Sequence, residues 1–189
     1  MKYLTLVFFF SFLSFSQNQE AKIFFNDGET FEGFASITGN NKIKFRLNLE
    51  DEPTKFSSNE ISRVEFYGLY TEAIFEYVKL NNQYNLLQVL TEGEVTLYAE
   101  VKTSWSVLFL NLNTFGAGQY SDTNFFTLYL INKKFPKPFN KNPFVGWKKK
   151  MMEYFSDCDE LVRKIKANEF NRNDLKEIVE YYNDFCTDL

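Results

Sequence analysis

The 189-residue chain has no histidine at all. That absence removes Ser-His-Asp and Cys-His catalytic dyads, imidazole metal sites and the usual proton shuttle near neutral pH. There are only two cysteines, Cys158 and Cys186, so a four-ligand structural zinc site has too few ligands, and no metal or other cofactor is expected. A basic excess is also missing. Twenty-one Lys and Arg face 25 Asp and Glu, a net charge of -4, whereas a general nucleic-acid binder needs positive charge to neutralise phosphates. No catalytic signature is present, so catalytic residues are expected to be none. Aromatics, by contrast, are abundant, with 23 Phe and 11 Tyr. Since Asn, Lys and Ile are also plentiful, an A/T-rich coding bias accounts for this mix, and aromatic richness alone marks no binding surface.

The first sixteen residues have the form of an export signal. Lys2 supplies a positive start, Leu4 to Phe15 is an apolar run broken only by Thr and Ser, and Ser14-Phe15-Ser16 is a small-x-small end. Cleavage is expected near Ser16/Gln17. The run is 12 residues long, against roughly 20 for a membrane-spanning helix, so no transmembrane segment is expected in the mature chain. A lipid anchor would need a cysteine at the cleavage point, and the first cysteine is Cys158. The protein is therefore expected to be exported, periplasmic or extracellular. Such a compartment lets disulfides persist.

The expected organisation is a signal peptide over 1–16, a β-rich body over 17–132, a basic Pro/Lys linker over 133–142 and a helical region over 143–189. In the body the hydrophobic period is 2. Ile43, Phe45, Leu47 and Leu49 alternate with polar residues over Lys42 to Leu49, and Thr30 to Thr38 precedes it as the other arm of a hairpin. Asp27-Gly28 suits a tight turn from Lys22–Phe25 into that arm. Ser58 to Ile61 reads as a short helical turn capped by Ser57 or Ser58. Further strands are expected over Arg63–Tyr67, Glu72–Leu80, Leu86–Thr91, Glu94–Lys102, Ser104–Asn111 and Phe125–Asn132, with a loop from Asn113 to Asn124. The fold class is α+β. About eight antiparallel strands form either an open meander or a small bent barrel, in which Gly33 relieves crowding where a strand curls, followed by a bundle of about three helices.

Phe144, Trp147, Met151 and Phe155 mark one helical face after Pro143. Asp157 with Glu160 resembles a capping box for a second helix carrying Leu161, Val162 and Ile165. Leu175, Ile178, Val179, Tyr182 and Cys186 form the stripe of a third, beginning near Asn173. A short return loop, Asn168 to Arg172, sets the last two helices antiparallel and brings Cys158 to Cys186. Bridging them stabilises by about 3 to 4 kcal/mol on a chain-entropy estimate. The alternative, a redox-active thiol pair, has no C-x-x-C spacing behind it.

Lys133 to Lys150 contains seven Lys and no acid, interleaved with Phe135, Phe139, Phe144 and Trp147. One reading is an anionic-ligand site for lipid head groups or acidic polymers, built on Lys133, Lys134, Lys137, Lys148, Lys149, Lys150 and Trp147. The other is a solvated linker whose aromatics pack on the body, which Pro136, Pro138 and Pro143 favour. For hydrolytic chemistry the nominal carboxylates are Glu92, Glu94 and Glu100, set against their reading as turn and solvent-face glutamates.

The start ending FSQ, the NDGETFEG hairpin, the EGEVTLY strand at Glu92 to Tyr98 and above all Tyr154 to Cys186 carry a resemblance. The chain resembles a widespread group of uncharacterised secreted proteins of flavobacteria and their relatives. The resemblance implies an envelope or secreted location and the paired cysteines, and it transfers no activity to any residue. The expected function is that of a non-enzymatic binding or structural protein of the cell envelope, with an envelope protein or an anionic surface as partner.

Overall fold

The short link Ser57–Glu60 decides the shape of the N-terminal half. Ser57 caps this turn: the Glu60 and Ile61 amides donate to its carbonyl, and Glu60 Oε2 accepts from the Ser57 amide at 2.8 Å and from its hydroxyl. In the computed structural model, which describes residues 18–38, 41–67, 72–101, 126–132, 139–140 and 146–187, the link joins β4 (Thr54–Phe56) to β5 (Ile61–Tyr67). Before it run β1 (Gln19–Phe25), β2 (Thr30–Thr38) and β3 (Lys42–Arg46). The order in the sheet is β4-β3-β2-β1-β5, so β4 and β5 lie at opposite ends of a five-strand row although one turn joins them. A flat row would separate them by roughly 19 Å, at about 4.8 Å per strand. The row must therefore curl. The rings of Phe25 in β1 and Phe56 in β4, three strands apart, indeed meet edge to face with centroids 5.2 Å apart.

Two local features permit the curl. A Cβ on Gly33 would lie 2.4 Å from the Arg46 carbonyl oxygen, so only glycine allows β2 to approach β3 this closely. Between Phe24 and Phe25 the β1/β5 register shifts, a bulge at Ser62 that sharpens the bend. Inside the curl lie Ala21, Ile23, Ala35, Ile43, Ile61 and Val64, all buried. Asp27 Oδ1 accepts from the Glu29 amide, and Gly28 takes φ 95°, which closes the expected Asp-Gly turn.

From β5 the sheet continues as a meander through β6 (Ala73–Leu80), β7 (Gln83–Thr91), β8 (Val95–Val101), β9 (Phe126–Asn132) and the two-residue β10 (Phe139–Asn140). All ten strands pair antiparallel in one sheet that does not close, with β4 and β10 at its edges. Asn81 and Asn82, both at positive φ, make the β6–β7 hairpin turn.

Three helices cover one face of β7–β9: α1 (Trp147–Tyr154), α2 (Asp159–Ala167) and α3 (Leu175–Phe185). Met151, Phe155, Leu161, Ile165, Ile178 and Val179 are fully buried there against Leu90, Val95, Leu97, Ala99 and Leu130. Cys158 and Cys186 are bonded, with Cα atoms 5.6 Å apart, which ties the start of α2 to the end of α3. No described helix is long and apolar enough to cross a membrane.

Several expectations change. Of the two sheet forms expected, the open meander is the one found, with ten strands among the described residues. The third strand stops at Arg46 rather than Leu49, because Asp51 Oδ2 accepts from the Asn48 amide and side chain and turns the chain. Asp157 does not cap α2; Cys158 is the cap residue, Asp157 accepts from the Tyr182 hydroxyl at 2.6 Å, and Glu160 pairs with Arg163. The expected strand Ser104–Asn111 and the loop Asn113–Asn124 lie outside the described residues, as does Pro143.

Candidate functional site

Strand alternation puts a second set of side chains on the face opposite the core of the curl. Arg63, Glu65 and Tyr67 of β5 stand there beside Glu76 of β6, which pairs directly with Arg63 in the ladder. The half-buried Arg63 guanidinium reaches three carboxylates: Glu65 at 2.8 Å, Glu76 at 2.7 Å, and Glu92 through both of its oxygens at 2.5 and 3.3 Å. Glu76 spends its other oxygen on the Tyr98 hydroxyl at 2.7 Å, and Glu65 accepts from Tyr67 at 2.8 Å. Further along the same face Glu100 accepts from Tyr129 at 3.0 Å. Phe24 lies under the guanidinium, 5.9 Å from ring centroid to Arg63 Cζ.

One guanidinium here serves three carboxylates. Arg63 is held further toward its charged form, first by its hydrogen bonds to Glu92 and then by the neighbouring charges. Burial, reinforced by Glu76, pushes the Tyr98 hydroxyl up, and burial with Glu65 lifts Tyr67 to about 12. Both hydroxyls therefore stay protonated donors at neutral pH. Of the carboxylates considered for hydrolysis, Glu92 has both oxygens on Arg63, and Glu100 is bonded to Tyr129. Glu94 lies in the β7–β8 turn, close enough to raise the Tyr182 hydroxyl. The arrangement fixes strands to one another.

The turn carrying Glu92 is itself clamped. The β7–β8 register shifts between Val89 and Thr91, the ladder runs on to the Thr91–Leu97 pair, and beyond it Val95 is held by the Asn183 side chain from α3. Its Oδ1 accepts from the Val95 amide at 2.9 Å, and its Nδ2 donates to the Val95 carbonyl at 2.9 Å. An amide side chain thus stands in for a neighbouring strand. Gly93 makes room, since a Cβ there would fall 2.1 Å from Asn183 Nδ2.

The basic stretch is only partly described. Lys148 Nζ donates to the Lys166 carbonyl at 2.8 Å and to Asn168 Oδ1 at 2.7 Å, capping the carbonyl end of α2. Trp147 packs against the helical core, and Lys149 approaches Glu153 at 3.9 Å. Lys150 is exposed. Lys133, Lys134 and Lys137 lie outside the described residues. Among the described residues no cluster of Cys, Asp and Glu is arranged to hold a metal ion.

A different surface stands out at one end of the curled sheet. Phe31, Leu47 and Leu49 are 41%, 54% and 50% exposed and sit on adjoining strand ends, with Gly33 bringing the Leu47 backbone close. Phe31 packs edge to face on Phe25 at 5.6 Å, so the patch continues the aromatic core outward. Exposed acids flank it in sequence, Asp27, Glu29 and Glu32 on one side and Glu50, Asp51 and Glu52 on the other, with Glu32 paired to Lys22 at 3.2 Å and Asp51 accepting from Asn48. Sequence reading did not single out Arg63, Glu65, Glu76, Asn183 or this patch. The signals were there: Arg63 and Glu65 two apart on a strand, and Leu47 and Leu49 on either side of Asn48 before an acidic turn.

A scan against protein-family models and searches of curated proteins and of solved structures find no match to this chain.

Proposed function

We propose that this is an exported, non-enzymatic binding protein of the cell envelope whose contact surface is the apolar end of the curled sheet. The observation that carries the reading is the exposed Phe31, Leu47 and Leu49 patch on a rigid support. Large apolar side chains grouped at the surface mark interaction sites. The Gly33 close approach and the Ser57–Glu60 turn hold this one in place. What supports export is the leader-like start together with the Cys158–Cys186 bond, which persists in oxidising compartments. The likeness of Tyr154 to Cys186 to secreted flavobacterial proteins points the same way.

The test is site-specific photo-crosslinking in cells that export the chain. A photoreactive residue at Leu47 is expected to give a discrete protein adduct in the envelope fraction. The same residue at Tyr84, equally exposed but at the far β6–β7 tip, should give none. A clean Leu47 lane would rule the reading out.

A further inference from the structure

We infer that the outward face of β3 and β4 binds a linear acidic polysaccharide along a stripe of four basic side chains, Lys42, Lys44, Arg46 and Lys55. This rests on the export proposed above and on nothing else in that reading; the Phe31, Leu47 and Leu49 patch keeps its own partner. Ladder register places the stripe. Ile43 and Phe45 point into the curl, so Lys42, Lys44 and Arg46 point out, and Lys55 lies directly across from Lys44 on the same face. Residues two apart on a strand are separated by about 7 Å, and facing Cα atoms by about 5 Å. From Lys42 to Arg46 the stripe is therefore about 14 Å long and a single strand spacing wide, with charges spaced on the scale of sugar rings.

Among the described residues, Lys42, Lys44 and Lys55 have no ion-pair partner. Arg46 donates from Nη1 to the Leu49 and Asp51 carbonyls rather than to a carboxylate, so its charge also stands. Glu60 feels the charge of Lys42, but its Oε2 already accepts from the Ser57 amide and hydroxyl. On the same outward face Glu32 is paired with Lys22, and Glu20 lies on β1, two strands from β3. Like charges directly opposite one another destabilise a sheet, so Lys44 facing Lys55 is a cost that a bound anion would lift. Lysines often guard a free sheet edge. That accounts for Lys55 on the outermost strand, but not for Lys42 and Lys44 on β3, which has a strand on each side.

The shape of the stripe and its neighbours select the ligand. A narrow basic line on a chain of net charge -4 attracts a thread, whereas an anionic membrane plane would also meet the repelling remainder. A single nucleic-acid strand asks for exposed aromatics on which its bases stack. Here the outward neighbours on β2 are Ser36, Thr38 and a half-buried Phe34. Flexible ammonium groups beside a hydroxyl suit the carboxylates and hydroxyls of acidic sugars.

The experiment is a fluorescence-anisotropy titration of the chain from Gln17, which keeps every described strand and helix, against end-labelled oligogalacturonate. Binding is expected, and it should weaken about tenfold between about 0.05 and about 0.5 M NaCl, because screening shortens the reach of the charges. Lys44→Gln with Lys55→Gln should weaken it about tenfold while the thermal midpoint stays or rises, since a repulsive pair has gone. Lys42→Gln, at the exposed start of β3, should weaken it about threefold, and it carries the test if the double variant folds poorly. Lys149→Gln with Lys150→Gln, on α1, should bind like wild type. No binding by the wild type, unchanged binding by folded stripe variants, or an equal loss in the α1 variant would each overturn the inference. So would tighter binding to labelled oligothymidine, or to vesicles of equal parts phosphatidylglycerol and phosphatidylcholine. The titration does not involve Leu47, so an absent cross-link there and an absent titration here are separate failures of separate surfaces.

Discussion

One sheet hides its apolar face in two ways. Over β1–β5 it curls on itself, and the devices are small and local: Ala21 and Ala35 in the core, Gly33 at the close approach, a bulge at Ser62 and a four-residue turn. Over β7–β9 it stays open and is covered by helices. There the devices are distant in sequence: Asn183 on Val95, 88 residues away, and Cys158 on Cys186. The changeover falls within β7, where Leu86 belongs to the first core and Leu90 to the second, with the buried side chain of Gln88 between them. Curling needs few residues but tight backbone geometry, whereas covering tolerates loose geometry but needs long-range ties.

If the two halves are separable in this sense, damage to one should be felt there first. Replacing both Cys158 and Cys186 by Ser should cost about 3 to 4 kcal/mol. Hydrogen exchange should then show lost protection at Leu161 and Ile178 while Ile23 and Val64 stay protected; equal loss in both would show a single cooperative unit. Gly33→Ala should cost about 3 kcal/mol, since the clash is with backbone rather than a yielding side chain. The exchange pattern should reverse, with the amides of the β1–β5 curl opening first. Asn183→Ala should cost about 2 kcal/mol by leaving the Val95 amide and carbonyl without their partner. Gly93→Ala should cost no more on top of it, because it harms the same clamp; chemical denaturation of the four variants of that cycle would expose any additivity.

The smallest effect is with pH. The Tyr182 hydroxyl is pushed up by burial and by Asp157, and burial pushes Tyr154 to about 12. A raised pKa means the folded state keeps protons that the unfolded chain releases near about 10. Stability from these groups is therefore complete below that pH and declines as pH rises through about 12. Tyrosinate absorbance should rise together with exposure of helical-half amides, and Tyr182→Phe should flatten the dependence. Ionisation well before unfolding would contradict the assignment.

Much of this architecture is legible in the residues. Period-2 alternation located β2, β3 and β5–β8 within a few residues, the Leu175 to Cys186 stripe matched the buried face of α3, and the cysteine pairing followed from the short return loop. β4 is not legible as a strand, because three residues are too few to show a period. Leu47 and Leu49 continue the alternation of β3 perfectly, yet local side-chain bonds at Asn48, Asp51 and Arg46 turn the chain away. The Arg63 network escaped for another reason. Its members come from β5, β6, β8 and the β7–β8 turn, and only the ladder register says that they meet.

The Ser57–Glu60 turn also sets an order of events. Because it returns the chain at once to β1, the pairings of the five-strand curl are complete within residues 19–67, and the first part synthesised can organise itself early. The Asn183 clamp and the cysteine bond need the last dozen or so residues, so the second core is the last to close. Until then β7–β9 hold an uncovered apolar face. The vulnerable period in this protein's maturation is therefore the interval between the curl and the arrival of α3, and a folding helper that shields apolar surface would act there.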